Sequence, residues 1–162
     1  MTTPARDHAG VFVPPPLFYV VAFLIGWLID RRRHAPIMRT DVGVLFTIEQ
    51  LLGWVLIAAG IALSASAALT FRRAKTGIVP ITPATTIVAT GPYRFTRNPM
   101  YLAMSVIYLG AALLFNSFWI LLLLVVAVAC IQLYVIPREE RYLEAKFGDE
   151  YGGYTRRVRR WL

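Results

Sequence analysis

Thr90-Gly91-Pro92-Tyr93-Arg94-Phe95-Thr96-Arg97-Asn98-Pro99-Met100-Tyr101 is a basic, aromatic, turn-rich stretch that runs straight into an apolar segment. Gly91-Pro92 and Asn98-Pro99 punctuate it, because proline fixes its own φ and drives the preceding residue out of helical geometry. A helix is therefore expected to begin at Pro99. The residues after it are apolar for a membrane leaflet or more, so Arg94 and Arg97 fall where a membrane segment meets water. Two cations at that boundary imply a partner or a task.

The rest of the composition agrees with a membrane setting. With 162 residues, 57% of them hydrophobic, and a mean hydropathy of +0.58, the chain is too apolar for an ordinary soluble domain. It suits a small polytopic membrane protein built as a single domain over residues 1–162. The net charge of +8 lies in blocks between apolar runs rather than along one soluble surface. Such blocks match anionic lipid headgroups and argue against nucleic acid. Cys130 is the only cysteine and lies in an apolar run, so it forms no intrachain disulfide and is read as packing. His8 and His34 stand in polar connections without ligand-like neighbours, and no metal site is expected. Only Arg6 precedes the first apolar stretch, with no small-residue cleavage site, so no removed signal peptide is expected.

The expected fold is all-α, with four transmembrane helices near residues 14–29, 43–71, 99–115 and 118–136. Pro14, Pro15 and Pro16 are acceptable in a first helical turn, and Asp30-Arg31-Arg32-Arg33-His34 ends that first span. The second span carries Ala58, Ala59, Gly60, Ala62, Ser64, Ala65, Ser66, Ala67 and Ala68, small residues that let helices approach closely in lipid. Glu49, near its start, is either an interfacial or hydrogen-bonded residue or a polar group at a cavity; position near a helix end favours the former. Between the second and third spans, residues 72–99 hold Arg72, Arg73, Lys75, Arg94 and Arg97 and no acidic residue. The middle of this loop, 78–88, alternates prolines, threonines and aliphatics and is expected to lie along the membrane surface.

Only Asn116-Ser117 separates the third and fourth spans, which requires a tight antiparallel hairpin. Residues 100–115 rise about 24 Å as a helix, less than the roughly 30 Å of a hydrocarbon core, so the Arg97 end is expected to be drawn toward the membrane. Pro137 is expected to end the fourth span and open a cytosolic amphipathic helix over 138–147, stopped by Gly148, within a cytosolic region 137–162. Glu139 and Glu140 would suit the positive end of that helix. The tail Arg156-Arg157-Val158-Arg159-Arg160-Trp161-Leu162 reads as an interfacial anchor. Thirteen Lys and Arg residues fall on the side of the two termini and the 72–99 loop, against four in the 30–42 loop. That balance places both termini in the cytoplasm, although Arg31, Arg32 and Arg33 taken alone argue the reverse. The hairpin brings Arg97 beside Glu139 or Glu140, as halves of a site or as a salt bridge locking the hairpin. The residues alone do not separate the two.

Residues 90–101, a helical hairpin, Arg138-Glu139-Glu140 and the ending Phe147-Gly148-x-Glu150-Tyr151-x-x-Tyr154-x-x-Arg157-Val158 together resemble the isoprenylcysteine carboxyl methyltransferase family. The likeness covers residues 71–162 and looks like the short bacterial branch of these integral membrane enzymes. The family pattern Arg-His-Pro-x-Tyr, then Glu-Glu one hairpin later, stands here as Arg97-Asn98-Pro99-Met100-Tyr101 and Glu139-Glu140. The resemblance implies methyl transfer from S-adenosylmethionine, leaving S-adenosylhomocysteine, to a small lipophilic or lipid acceptor at the membrane–cytosol interface of a bacterial inner membrane. It implies Arg97 and Glu140 as catalytic residues. It implies Thr86, Ile87, Val88, Tyr93, Asn98, Pro99, Tyr101 and Glu139 as the cofactor site, with membrane lipids as partners.

Two departures narrow that implication. Asn98 replaces the family histidine and cannot serve as a cation or general base. Val135 stands where eukaryotic relatives carry a substrate-binding arginine, so a prenylated protein is not the expected acceptor. Two other readings compete: a nicotinamide-dependent membrane reductase of related fold, and a non-catalytic lipid-binding module whose charges are anchors.

Overall fold

The computed structural model describes residues 10, 11, 13–38, 43–74 and 84–162, with the side chains of 43–47 left aside. The polar lead-in with His8 and the 75–83 part of the long loop fall outside the described residues. Six α-helices are described: α1 (Pro15–Arg32), α2 (Gly43–Arg73), α3 (Pro99–Leu114), α4 (Phe118–Cys130), α5 (Ile136–Phe147) and α6 (Asp149–Arg157). A short 3-10 turn occupies Gly91–Arg94, and the described residues contain no strand.

Two helical stretches, Ile48–Arg73 and Phe118–Phe147, are long and apolar enough to cross a membrane, and Pro99–Leu114 is a shorter apolar helix. The first helix starts on its prolines, as expected, but continues past Ile29 to Arg32. Its last turn is held because Asp30 pairs with His34 at 3.0 Å and accepts the Ala35 N–H, while Arg31 and Arg32 suit the negative end of the helix. Leu17, Val20, Val21, Leu24, Ile25 and Leu28 are all exposed along it, so its outer face is apolar.

α2 packs along α3 at a seven-residue spacing: Gly53, Gly60 and Ala67 are buried. Backbones meet there. A Cβ added at Gly110 would lie 2.6 Å from the Gly53 carbonyl oxygen, and one at Gly60 would lie 2.9 Å from that of Ala103. Ala58, Ala59, Ala62, Ala65 and Ser66 are instead exposed. The small-residue run is therefore not a single packing stripe; only the members in heptad register reach the neighbour.

α1 lies against α4, with Gly26 close to Ile120, and reaches α3 through the Tyr19 hydroxyl, which donates to the Tyr101 carbonyl at 3.2 Å. The closed end of the expected hairpin is tightly tied. Asn116 adopts a left-handed φ of 44°, which asparagine tolerates. Its Oδ1 accepts the Ile37 and Met38 N–H groups at 2.8 and 3.0 Å, and Ser117 caps α4 by accepting the Ile120 N–H.

Pro137 does not end the fourth helix. The chain runs helically from α4 through a π-helical turn, Ile131–Val135, into α5. A proline inside an α-helix clashes with a carbonyl one turn back; the wider π turn moves that strand of carbonyls aside. Arg138 Nη1 donates to the Tyr134 carbonyl at 2.9 Å. Because no helix terminus is exposed at Pro137, the dipole account of Glu139 and Glu140 loses its basis.

Glu49 sits at the hairpin end, where the next residue, Gln50, donates to the Leu114 carbonyl at 3.2 Å. It is 2% exposed, and among the described residues neither carboxylate oxygen has a partner. It is not hydrogen-bonded and does not line the cavity described below. Burying an unpaired polar group costs roughly 1–3 kcal/mol by protein mutational data. Glu49→Met is expected to raise the thermal unfolding midpoint in detergent; a lowered midpoint would mean the carboxylate is needed.

Candidate active site

The stretch 90–98 is built as a knuckle between α2 and α3. Gly91 takes φ 58° and comes so close to α2 that a Cβ there would lie 2.6 Å from Thr70 Oγ1. Glycine satisfies both demands. Tyr93 is buried against Phe71, ring centroids 5.0 Å apart, and the Tyr154 hydroxyl donates to its carbonyl at 2.8 Å. α3 then opens with Pro99 in its first turn, where a missing N–H is harmless.

Across the hairpin, α5 presents Glu139 and Glu140 to this knuckle. Tyr101 donates its hydroxyl to Glu139 Oε1 at 2.5 Å. Arg97 Nη1 lies 3.0 Å from Glu140 Oε1, joining residues 43 positions apart. Arg160 forks the same carboxylate, Nε to Oε1 at 3.1 Å and Nη2 to Oε2 at 2.5 Å. Glu140 is thus held between two guanidinium groups. Arg97 Nε is buried and has no partner among the described residues.

A cavity of about 370 Å³ opens between these groups, within the range of small-molecule sites. Thr86, Ile87, Val88, Tyr93, Arg97, Asn98, Tyr101, Glu139 and Glu140 all line it. Pro99 does not: it is fully buried behind the wall as part of the α3 start. The 84–88 segment forms one side, tied to α5 by the Ala84 N–H donating to the Tyr142 hydroxyl at 3.2 Å and packed through Ile87 on Tyr151 and Tyr154. Asn98 lines the cavity, but its amide nitrogen donates to the Arg160 carbonyl at 2.9 Å. Its amide oxygen and the second N–H of that nitrogen remain to offer a ligand.

Sequence reasoning missed Tyr151 and Tyr154 on α6, Met100 and Met104 on α3, Phe71 on α2 and Pro14 to Pro16 at the start of α1, all of which line the cavity. The ending that contains Tyr151 and Tyr154 was part of the resemblance, and its tyrosine spacing was the available signal. Burial pushes the Tyr151 phenol up, with Glu140 adding and Arg97 opposing, and burial likewise raises Tyr154 and Tyr93. These phenols are neutral hydrogen-bond donors at physiological pH. Among the described residues no group of His, Cys, Asp and Glu could hold a metal ion.

A family model for phospholipid methyltransferase matches residues 48–150, more than half of the chain. The chain belongs to that family. This places it with the isoprenylcysteine carboxyl methyltransferase-like proteins that residues 90–101 and Glu139-Glu140 resemble. An uncharacterized protein of Haemophilus influenzae is 43% identical over 63 residues, 39% of this chain and the whole of that relative. Membership, together with the two long apolar helices, points to a methyltransferase working at a membrane. The phospholipid methyltransferase match takes in the 86–101 wall and Glu139 and Glu140. Pro14 to Pro16, Tyr151 and Tyr154, which also line the cavity, and Arg160, which forks Glu140, lie beyond it.

Proposed function

We propose that the protein transfers a methyl group from S-adenosylmethionine to a lipid or small lipophilic acceptor at the membrane–cytosol interface. The observation that carries this reading is the convergence of the Arg97 turn and Glu139-Glu140 on one cavity, from opposite arms of a helical hairpin in a phospholipid methyltransferase family member. In this reading α1, α2, α3 and the α4–α5 rod supply four spans, and residues 1–162 form one domain in a bacterial inner membrane. The termini and the 72–99 loop face the cytoplasm, following the excess of Lys and Arg on that side.

The cavity chemistry fits the cofactor. Glu139, oriented by the Tyr101 hydroxyl, keeps Oε2 to accept from ribose hydroxyls or an amino group. Tyr93 and Tyr101 offer ring faces to a cation, and the 86–88 segment offers backbone groups. S-adenosylmethionine supplies an electrophilic methyl on a sulfonium and leaves as the thioether S-adenosylhomocysteine. The protein's part is positioning, electrostatics and exclusion of water. Arg97 is the catalytic residue, its guanidinium lining the cavity where it can hold an anionic group of the acceptor, such as a phosphate. Glu140, with both oxygens engaged by arginines, holds Arg97 in place. Apolar Met100, Met104 and Phe71 in the cavity lining suit a lipid tail.

The test is incubation of the detergent-purified protein with methyl-labelled S-adenosylmethionine and a bacterial lipid extract, followed by identification of the labelled product. A labelled lipid is expected. Thermal stabilisation by NADPH and not by S-adenosylhomocysteine would instead identify a reductase and overturn the proposal.

A further inference from the structure

The C-terminal segment after α6 packs back onto the protein through part of its length. Arg156, Arg157 and Arg159 are exposed, but Arg160 and Trp161 turn inward, and Val158 packs in the Tyr151–Tyr154 cluster. Arg97 donates its backbone N–H to the Arg159 carbonyl at 2.9 Å. The Arg160 carbonyl accepts from Thr96 Oγ1 at 3.1 Å and from Asn98 Nδ2 at 2.9 Å. Trp161 donates its indole N–H to Gln132 Oε1 at 2.8 Å, on the π turn. The segment is therefore strapped from the Arg97 knuckle to the α4–α5 rod.

We propose that this segment is the device that sets Arg97, and that Arg160 is its positioning residue. Arg97 is gripped at both ends from the tail. Its main chain is held by Arg159, while its guanidinium is held through Glu140, which Arg160 forks. Locally, the Asn98 backbone N–H donates to Thr96 Oγ1 at 3.2 Å, while the Asn98 side chain makes no cap to α3 and its amide nitrogen donates to the tail. A bidentate guanidinium–carboxylate pair fixes direction as well as distance, which a lysine in that place would not. Removing the fork leaves Glu140 free to swing and take Arg97 with it.

The kinetic arm of the test rests on the methyl-transfer reading above; the structural arm does not. Wild type, Arg160→Ala, Arg160→Lys and Arg159→Ala are compared in detergent by amide hydrogen exchange over residues 96–98, by S-adenosylhomocysteine binding, and by kcat and KM for methyl transfer. Arg160→Ala is expected to speed exchange at Arg97 and lower kcat roughly tenfold to hundredfold, the usual consequence of a small misplacement, with cofactor affinity changed far less. Arg160→Lys is expected to recover part of kcat, and Arg159→Ala, which removes only an exposed side chain, to behave as wild type. If Arg160→Ala does not fold, Arg160→Lys carries the comparison. Unchanged exchange at residues 96–98 and unchanged kcat in the folded Arg160 variants would overturn the proposal. If wild type transfers no methyl group, the proposed function fails, and the exchange result alone decides the strap.

Discussion

Glu139→Gln is expected to weaken S-adenosylhomocysteine binding about tenfold to hundredfold, because an amide nitrogen takes the place of one acceptor oxygen, and a buried polar group left without its partner costs roughly 1–3 kcal/mol. The substitution keeps the shape of the side chain, and its amide oxygen can still accept from Tyr101, which presently donates to Glu139 Oε1 at 2.5 Å. The α5 backbone has no reason to move, since Glu139 lies within a continuous helical rod and stabilises no helix end. The measurement is calorimetric titration in detergent, with unfolding midpoints recorded in parallel. Unchanged affinity at an unchanged midpoint would make the carboxylate a structural partner of Tyr101 and remove it from the cofactor site.

Gly110→Ala is expected to separate α2 from α3 and cost about 1–3 kcal/mol or more, the penalty of forcing atoms into a packed interface. The added Cβ would stand 2.6 Å from the Gly53 carbonyl oxygen and 3.1 Å from the Ile57 nitrogen. Backbone, not a flexible side chain, is in the way, so a whole helix must shift. Gly60→Ala meets the Ala103 carbonyl and is expected to behave similarly, whereas Ala62→Val, at an exposed position, is expected to be tolerated. Thermal unfolding in detergent distinguishes these outcomes; wild-type stability in Gly110→Ala would show that the crossing is looser than its geometry implies. The 90–98 knuckle is slung between these two helices, so their separation would also open the cavity beneath Tyr93.

Much of this arrangement is legible in the chain itself. Apolar runs and prolines locate α2, α3 and the start of α4, because helix-breaking residues and hydropathy act locally. The three-residue connection between α3 and α4, Phe115 to Ser117, leaves only an antiparallel hairpin, and that alone brings Arg97 within reach of Glu139 and Glu140. The residues named from sequence for the cofactor share one cavity, Pro99 excepted, which packs behind it. The passage of the helix through Pro137 was not legible, because a π turn leaves no mark in hydropathy and a proline most often ends a helix. Nor was the choice of Gly53, Gly60 and Ala67 among many small residues. Composition says that helices can approach, and only the register of two surfaces says where.

What the sequence by itself determined was the all-helical character, the hairpin, the basic turn and the paired glutamates, and through them the family. Each depends on neighbours a few residues apart or on a connection too short to allow alternatives. Only the tertiary structure decided that Arg160 and Trp161 strap the Arg97 turn to the α4–α5 rod. An arginine-rich tail has the same local chemistry whether it faces headgroups or a buried carboxylate. The difference lies in Glu140, twenty residues away, and in Arg97, sixty-three residues away, and that pairing exists only once the hairpin has closed.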